Sequence, residues 1–332
     1  MLRLLTILAL LMSAAAQAGE APAPAAAMLG DTQIHDPSAI VVDGHWVSFQ
    51  TGDEGGVYQG AIKLKISPDG IHWTNAGAVG KGVPKWAQQV LGYKSRNIWA
   101  PTISRHGSMF YLYYSVSSFG LNQSAIGVMT NSAFDPLHPD QGWQDQGEVL
   151  HSSLKGDWNA IDPFRIDTSD GRAWLSYGSY WTGIKLKELD PFSGKLLDPQ
   201  GGPYAIAQRG DGGAIEASSL LEHDSKFYLF VSFDRCCAGV ASTYRIMVGR
   251  ADKITGPYRD KNGTDMMQAG ATEVQRTIGR YIGPGGEEPV NGAPDAMIYH
   301  YYDGEAGGTS KLQIAAIHWT ADGWPELAPP PQ

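Results

Sequence analysis

Cysteine is almost absent from this sequence: 332 residues carry two, and they are neighbours, Cys236 and Cys237. That excludes a disulfide framework and, with no Cys-x-x-Cys pair, a cysteine-built zinc site. Charge is scarce too, at 18% of residues, and no heptad or long 3.6-residue period runs through the chain, so a helical architecture is disfavoured. No basic run is present and the formal net charge is −9. A nucleic-acid backbone therefore finds no counterpart here. Beyond the N-terminal stretch, no apolar run approaches the ~20 residues of a membrane span. What is abundant is turn and strand chemistry: 41 Gly, 20 Pro, 15 Tyr and 10 Trp. About 300 residues of this composition suit one all-β domain.

The N-terminus reads as an address. Arg3 precedes an apolar run, Leu4 to Met12, and the small-residue motif Ala16-Gln17-Ala18 follows. This pattern predicts a signal peptide over residues 1–18, cleaved after Ala18, and a secreted or periplasmic protein. Residues 19–29, rich in Ala, Pro and Gly, read as a flexible lead-in, which leaves 30–332 as the folded domain.

One unit recurs five times along that domain. A polar or acidic residue near a proline leads into an apolar strand, a Gly or Ser turn follows, and an aromatic strand comes next. The copies start at His35-Asp36-Pro37, Trp99-Ala100-Pro101, Ile161-Asp162-Pro163, Ile215-Glu216-Ala217 and, most weakly, Gly292-Ala293-Pro294. Starts roughly 55–75 residues apart suit blades of four short strands, and the expectation is a single-domain, five-bladed β-propeller. A β-sandwich competes, but its turns would not group into five similar units.

In a propeller the first strand of each blade lines a central channel. Asp36, Asp162 and Glu216 are expected at the matching point of three blades. A lone Asp-Pro usually only starts a turn, as Asp135-Pro136 and Asp190-Pro191 are read here. Three carboxylates converging in one funnel repel and raise one another's pKa, an arrangement that points to function. Glycoside hydrolysis uses it: one carboxyl stays protonated to donate to the leaving oxygen, another activates water or attacks the sugar, and a third can tune the acid.

The motifs His35-Asp36-Pro37-Ser38, Asn97-Ile98-Trp99-Ala100-Pro101, Asn159-Ala160-Ile161-Asp162-Pro163, Gly178-Ser179-Tyr180-Trp181, Ile215-Glu216-Ala217-Ser218 and Ser242 to Arg250, followed by Ile254-Thr255-Gly256-Pro257-Tyr258, stand in order along the chain. Together they resemble the arabinanase branch of the family 43 glycoside hydrolases, from about Gly30 to Leu327. The resemblance implies an inverting endo-acting enzyme on α-1,5-linked arabinan. It makes Asp36 the general base, Glu216 the general acid and Asp162 the residue that raises and orients the acid. An exo-acting relative or a β-xylosidase is the alternative within the enzyme class. A non-catalytic sugar-binding propeller is the alternative outside it; a protein-interaction propeller lacks the short regular repeat it would need.

Aromatic and polar residues near the inner strands complete the expected site. Trp99, Phe119 and Trp181 are candidates to stack on sugar faces, Asn159 and Ser179 to bond hydroxyls, and His35 to orient Asp36. Many arabinanases carry Gly-Pro-Gly-His where this chain has Gly283-Pro284-Gly285-Gly286, and that histidine serves a hydrated channel ion. With Gly286 in its place, calcium or another ion is doubtful, Glu287 is not assumed to substitute, and neither a metal ligand nor a cofactor is expected. His300 and His318 read as packed residues. Cys236 and Cys237 read equally well as a vicinal disulfide or as two buried thiols. The expected partner is arabinan or its oligosaccharides, with no nucleic acid, no membrane and a monomeric state.

Overall fold

Five antiparallel sheets, each built in chain order, make up the fold. The computed structural model describes residues 23–52, 60–210 and 213–331; the expected signal peptide lies outside them. The inner strands are Ser38–Val42, Asn97–His106, Phe164–Asp167, Ile215–His223 and Tyr281–Val290. Each packs beside the next around a channel, the fifth returning to the first. This is the five-bladed β-propeller the repeats predict.

Between adjacent blades lie five apolar clusters, one to each junction. Alternation along each second strand explains why these strands read as nearly continuous apolar runs. In Met109–Ser117, Phe110, Leu112, Tyr114 and Val116 face the first blade, while Tyr111 and Tyr113 face the third. A fully buried residue such as Leu112 contributes about 1.5–3 kcal/mol by leaving water.

Two sequence expectations need correction. The fifth unit does not start at Gly292. Its inner strand is Tyr281–Val290, and Ala293–Asp303 is its second strand. The stretch predicted as a flexible lead-in is tied down over its described part. Ala25 N–H donates to Pro329 O, Gln313 donates to Ala26 O, and Leu29–Gly30 adds a parallel strand to the first blade. The ring closes just beyond, where Ile34 N–H donates to Ser310 O, Leu312 N–H donates to Thr32 O, and Asn291 pairs with Ala39 and Val41. Among the described residues no helix is long and apolar enough to cross a membrane.

Candidate active site

Every blade bends the chain just before or within its inner strand. Asp36, Ala100, Asp162, Ala217 and Gly286 all sit in the left-handed region, with φ of 48°, 40°, 55°, 52° and 63°. Such backbone is uncommon outside Gly, Asn and Asp. Here each freed N–H is taken by a side chain. Those of Ala100, Asp162 and Gly286 donate to the hydroxyls of Thr51, Ser115 and Ser232, and that of Asp36 donates to His300 Nδ1. In each case the acceptor lies on or just after the second strand of the preceding blade. The third blade offers Gly178 at that point, with φ of 133° and no side chain to give. The Ala217 N–H therefore donates to Asp162 Oδ2 instead, at 3.1 Å. That bond aims Asp162 across the channel towards the strand bearing Glu216.

This register corrects one detail of the sequence reading. Asp36 and Asp162 are true equivalents, but Glu216 stands one residue earlier than they do, with Ala217 at the bend. The fourth-blade bulge between Glu216 and Ser219 matches the one between Trp99 and Thr102 in the second blade, so the bend is common and only the acid's place before it differs. All three carboxyls nonetheless line one cleft of about 360 Å³, with His35, Trp99, Phe119, Tyr244, the two cysteines, Glu287 and Glu288.

Asp36 is held as an anion. Thr51 donates to its Oδ2 at 2.6 Å and His35 Nδ1 lies 2.9 Å from the same oxygen. Burial works to raise this carboxyl, but the adjacent His35 ring and the hydrogen bonds from His35 and Thr51 outweigh burial and keep it below the usual carboxylate range. Glu216 and Asp162 behave oppositely. Burial raises Glu216, with the Asp36 charge adding to it and hydrogen bonds from Tyr244 (2.6 Å) and Ser179 (2.7 Å) opposing it. Burial, then the charges of Glu216 and Asp36, push Asp162 well above its ordinary value. Two buried carboxyls that repel each other retain a proton between them. One cleft thus presents an ionised carboxylate on the first blade facing a proton-holding pair on the third and fourth.

The channel floor holds two more acids. Glu287 accepts from Ser232 at 2.6 Å, and burial pushes it up to about 8. Glu288 accepts from Thr102 and is raised by burial as well. His35, Asp36 and His300 bring their ligand-type atoms within 4.8 Å of one another, but His300 Nδ1 already accepts the Asp36 N–H and His35 Nε2 faces the Tyr302 hydroxyl. Burial, with His35 beside it, keeps His300 neutral. Its Nδ1 accepts the Asp36 N–H, so its proton rests on the buried Nε2, which presents a donor. A Cβ on Gly286 would lie 2.8 Å from that same Nδ1, so His300 fills the space a residue 286 side chain would need. These residues do not fit a histidine-held cation.

The family model for glycosyl hydrolases family 43 matches residues 29–325. The chain belongs to this family. Similar proteins include the extracellular endo-α-(1→5)-L-arabinanase 1 of Bacillus subtilis, 39% identical over 92% of this chain and 91% of that one. The extracellular exo-α-(1→5)-L-arabinofuranosidase of Cellvibrio japonicus is 35% identical over 89% and 86%. Among solved structures, the family 43 endo-arabinanase of Bacillus licheniformis superposes with a TM-score of 0.83 at 40% identity, covering 90% of this chain and 99% of that one.

Not all residues expected in this family 43 site reach it. Trp99 and Phe119 line the cleft and meet edge to face at 6.4 Å, Phe119 standing 82% exposed at the rim. Trp181 is exposed but lies outside that lining. Asn159 is buried and accepts from Ser124, so it is structural. Ser179 is buried against Glu216, where it holds the carboxyl and not a sugar hydroxyl. His35 lines the cleft with its Nδ1 at 2.9 Å from Asp36 Oδ2. His300 is packed as expected, whereas His318 is exposed. The cysteines are joined as a vicinal disulfide. The sequence reading missed Thr51, Tyr244, Glu288 and Tyr302. A tyrosine or threonine in a strand pattern reads as core or β-propensity, and only the register across blades points it at a carboxylate.

Proposed function

We propose that this chain is an inverting endo-α-1,5-L-arabinanase, with Asp36 as general base, Glu216 as general acid and Asp162 as the neighbour that keeps the acid protonated. The reading rests on the opposed protonation of Asp36 and the Glu216–Asp162 pair across one cleft. Asp36 takes a proton from water as that water attacks the anomeric carbon, while Glu216 delivers its own to the departing oxygen. Ser179 and Tyr244 hold the acid in line, and Trp99 and Phe119 offer apolar faces to the sugar rings. The chemistry is assigned to these carboxylates alone, with no cofactor. Secretion fits the extracellular names of the similar proteins from Bacillus subtilis and Cellvibrio japonicus, and the working form is taken to be a monomer.

The direct test is the purified protein on linear arabinan, branched arabinan and xylan, with products resolved over time. Early appearance of mixed oligosaccharides from linear arabinan is expected, with initial inversion at the anomeric centre by NMR. Steady release of one short product from the outset would assign the exo mode instead, and binding without cleavage would assign a sugar-binding role.

The pH profile tests Asp162. The alkaline limb reports loss of the Glu216 proton. The groups facing Glu216 are Asp36, Asp162, His35, Tyr244 and Tyr180. Asp162→Asn removes one negative neighbour, so Glu216 gives up its proton more readily and the alkaline limb moves to lower pH. A limb that stays in place removes the tuning role.

A further inference from the structure

We propose that Tyr302 is a positioning residue of the hydrolysis, set by the vicinal disulfide loop: the Cys237 amide fixes the Tyr302 hydroxyl, which fixes the His35 tautomer, which holds Asp36. The inference rests on Asp36 being the base.

The argument is one of donors and acceptors. A backbone amide can only donate. Cys237 N–H reaches Tyr302 Oη at 2.7 Å, so that oxygen accepts. The Tyr302 ring is buried, and desolvation raises its phenol far above neutrality, so it keeps its own proton. Tyr302 Oη lies 2.8 Å from His35 Nε2. With its lone pair engaged by Cys237, the hydroxyl donates to Nε2, and the imidazole proton is left on Nδ1. Nδ1 faces Asp36 Oδ2 at 2.9 Å and donates to it. The other tautomer would set two lone pairs against each other.

Thr51 reaches the same oxygen by the same logic. The Ala100 N–H donates to Thr51 Oγ1 at 2.9 Å, which turns the Thr51 proton onto Asp36 Oδ2 at 2.6 Å. Two backbone amides thus each orient a donor onto Oδ2, and Oδ1 is left to receive the proton of the attacking water. Cys237 itself sits in the left-handed region, with φ of 60°. Bonded to its chain neighbour, it is held in backbone that a free cysteine rarely keeps. The disulfide lies on the cleft wall, with Cys237 Sγ 3.8 Å from His35 Nε2. The loop that meets substrate is therefore also the loop that aims the relay.

Tyr302→Phe removes the hydroxyl and keeps the ring. The groups facing Asp36 are His35, His300, Asp162, Glu216, Tyr244 and Tyr302. In the variant only His35 changes its bond to Asp36, so the carboxylate loses support and its pKa rises. The expected result is an acidic limb of kcat/KM moved up by about one pH unit, with kcat lowered and KM unchanged. Reduction of the wild-type disulfide to two thiols, verified by alkylation and mass, is expected to move the same limb the same way, and reoxidation to return it. An acidic limb that stays put in folded Tyr302→Phe overturns the positioning role. One that moves in the variant but not on reduction overturns the part given to the disulfide. Asp36→Asn separates the two readings: if it stays active, the base assignment has failed, and if it is inactive while Tyr302→Phe is normal, only the relay has failed.

Discussion

Replacing Glu216 with glutamine is expected to lower kcat on linear arabinan by roughly 10²–10⁴, with the fold intact. The glutamine side chain has the size of the native one but no acidic proton for the departing sugar oxygen. Its amide can still meet the rotatable hydroxyls of Ser179 and Tyr244, which hold the native carboxyl at 2.7 and 2.6 Å. The change also removes a buried group whose charge Asp162 opposes, so the thermal midpoint should hold. The signature lies in the leaving group. An aryl α-L-arabinofuranoside with an acidic phenol departs without protonation, so any turnover of such a substrate should suffer far less from Glu216→Gln than turnover of arabinan does. Equal losses on both substrates would show that Glu216 is not the acid.

Asp36→Asn is expected to cost a similar factor, roughly 10²–10⁴, but without that relief. The attacking water needs its proton removed whatever group is leaving, so natural and activated substrates should lose alike. The variant keeps the N–H bond to His300, since that bond is made by the backbone. Its new side chain still accepts from Thr51 or His35 through its one carbonyl oxygen. The left-handed φ of 48° at this position is tolerated by asparagine as readily as by aspartate. Activity loss on a folded scaffold is therefore the outcome, measured by single-substrate kinetics beside a circular dichroism spectrum. Retained hydrolysis would move the base to another residue.

How far the sequence could be read depended on what repeats. Asp36-Pro37 and Asp162-Pro163 were legible because the bend they occupy recurs in every blade and because Asp tolerates it. Glu216 was legible as an acid near that bend but was misplaced by one residue, since alanine, which rarely takes left-handed backbone, occupies the bend itself at Ala217. The fifth inner strand escaped notice for a physical reason. Gly283-Pro284-Gly285-Gly286-Glu287-Glu288-Pro289 has the composition of a loop, and it is a strand because Ala293–Asp303 pairs with it along the channel. Gly285 is needed there, as a Cβ would come within 2.3 Å of the Tyr244 ring, and Gly286 is needed for φ of 63°. The partners of the carboxylates stand at strand ends, Thr51 and Ser179 just after second strands and Tyr244 just before a third, where they look like any other strand or turn residue. Their roles follow only from cross-blade register, which a single sequence does not carry.

The placing of Asp36 has one more consequence. Four of the five blade junctions join blades consecutive in the chain, but the junction of the fifth blade with the first is a clasp between the two ends of the fold, fastened by residues such as Ile34, Ser310, Thr32 and Leu312. Asp36, the proposed base, hangs on that clasp, with His300 bonding its N–H and Tyr302 bonding His35 from the far side. Glu216, the proposed acid, sits in the fourth blade, away from it. Opening of the ring at that clasp would part Asp36 and His35 from His300 and Tyr302 and leave Glu216 with Ser179 and Tyr244.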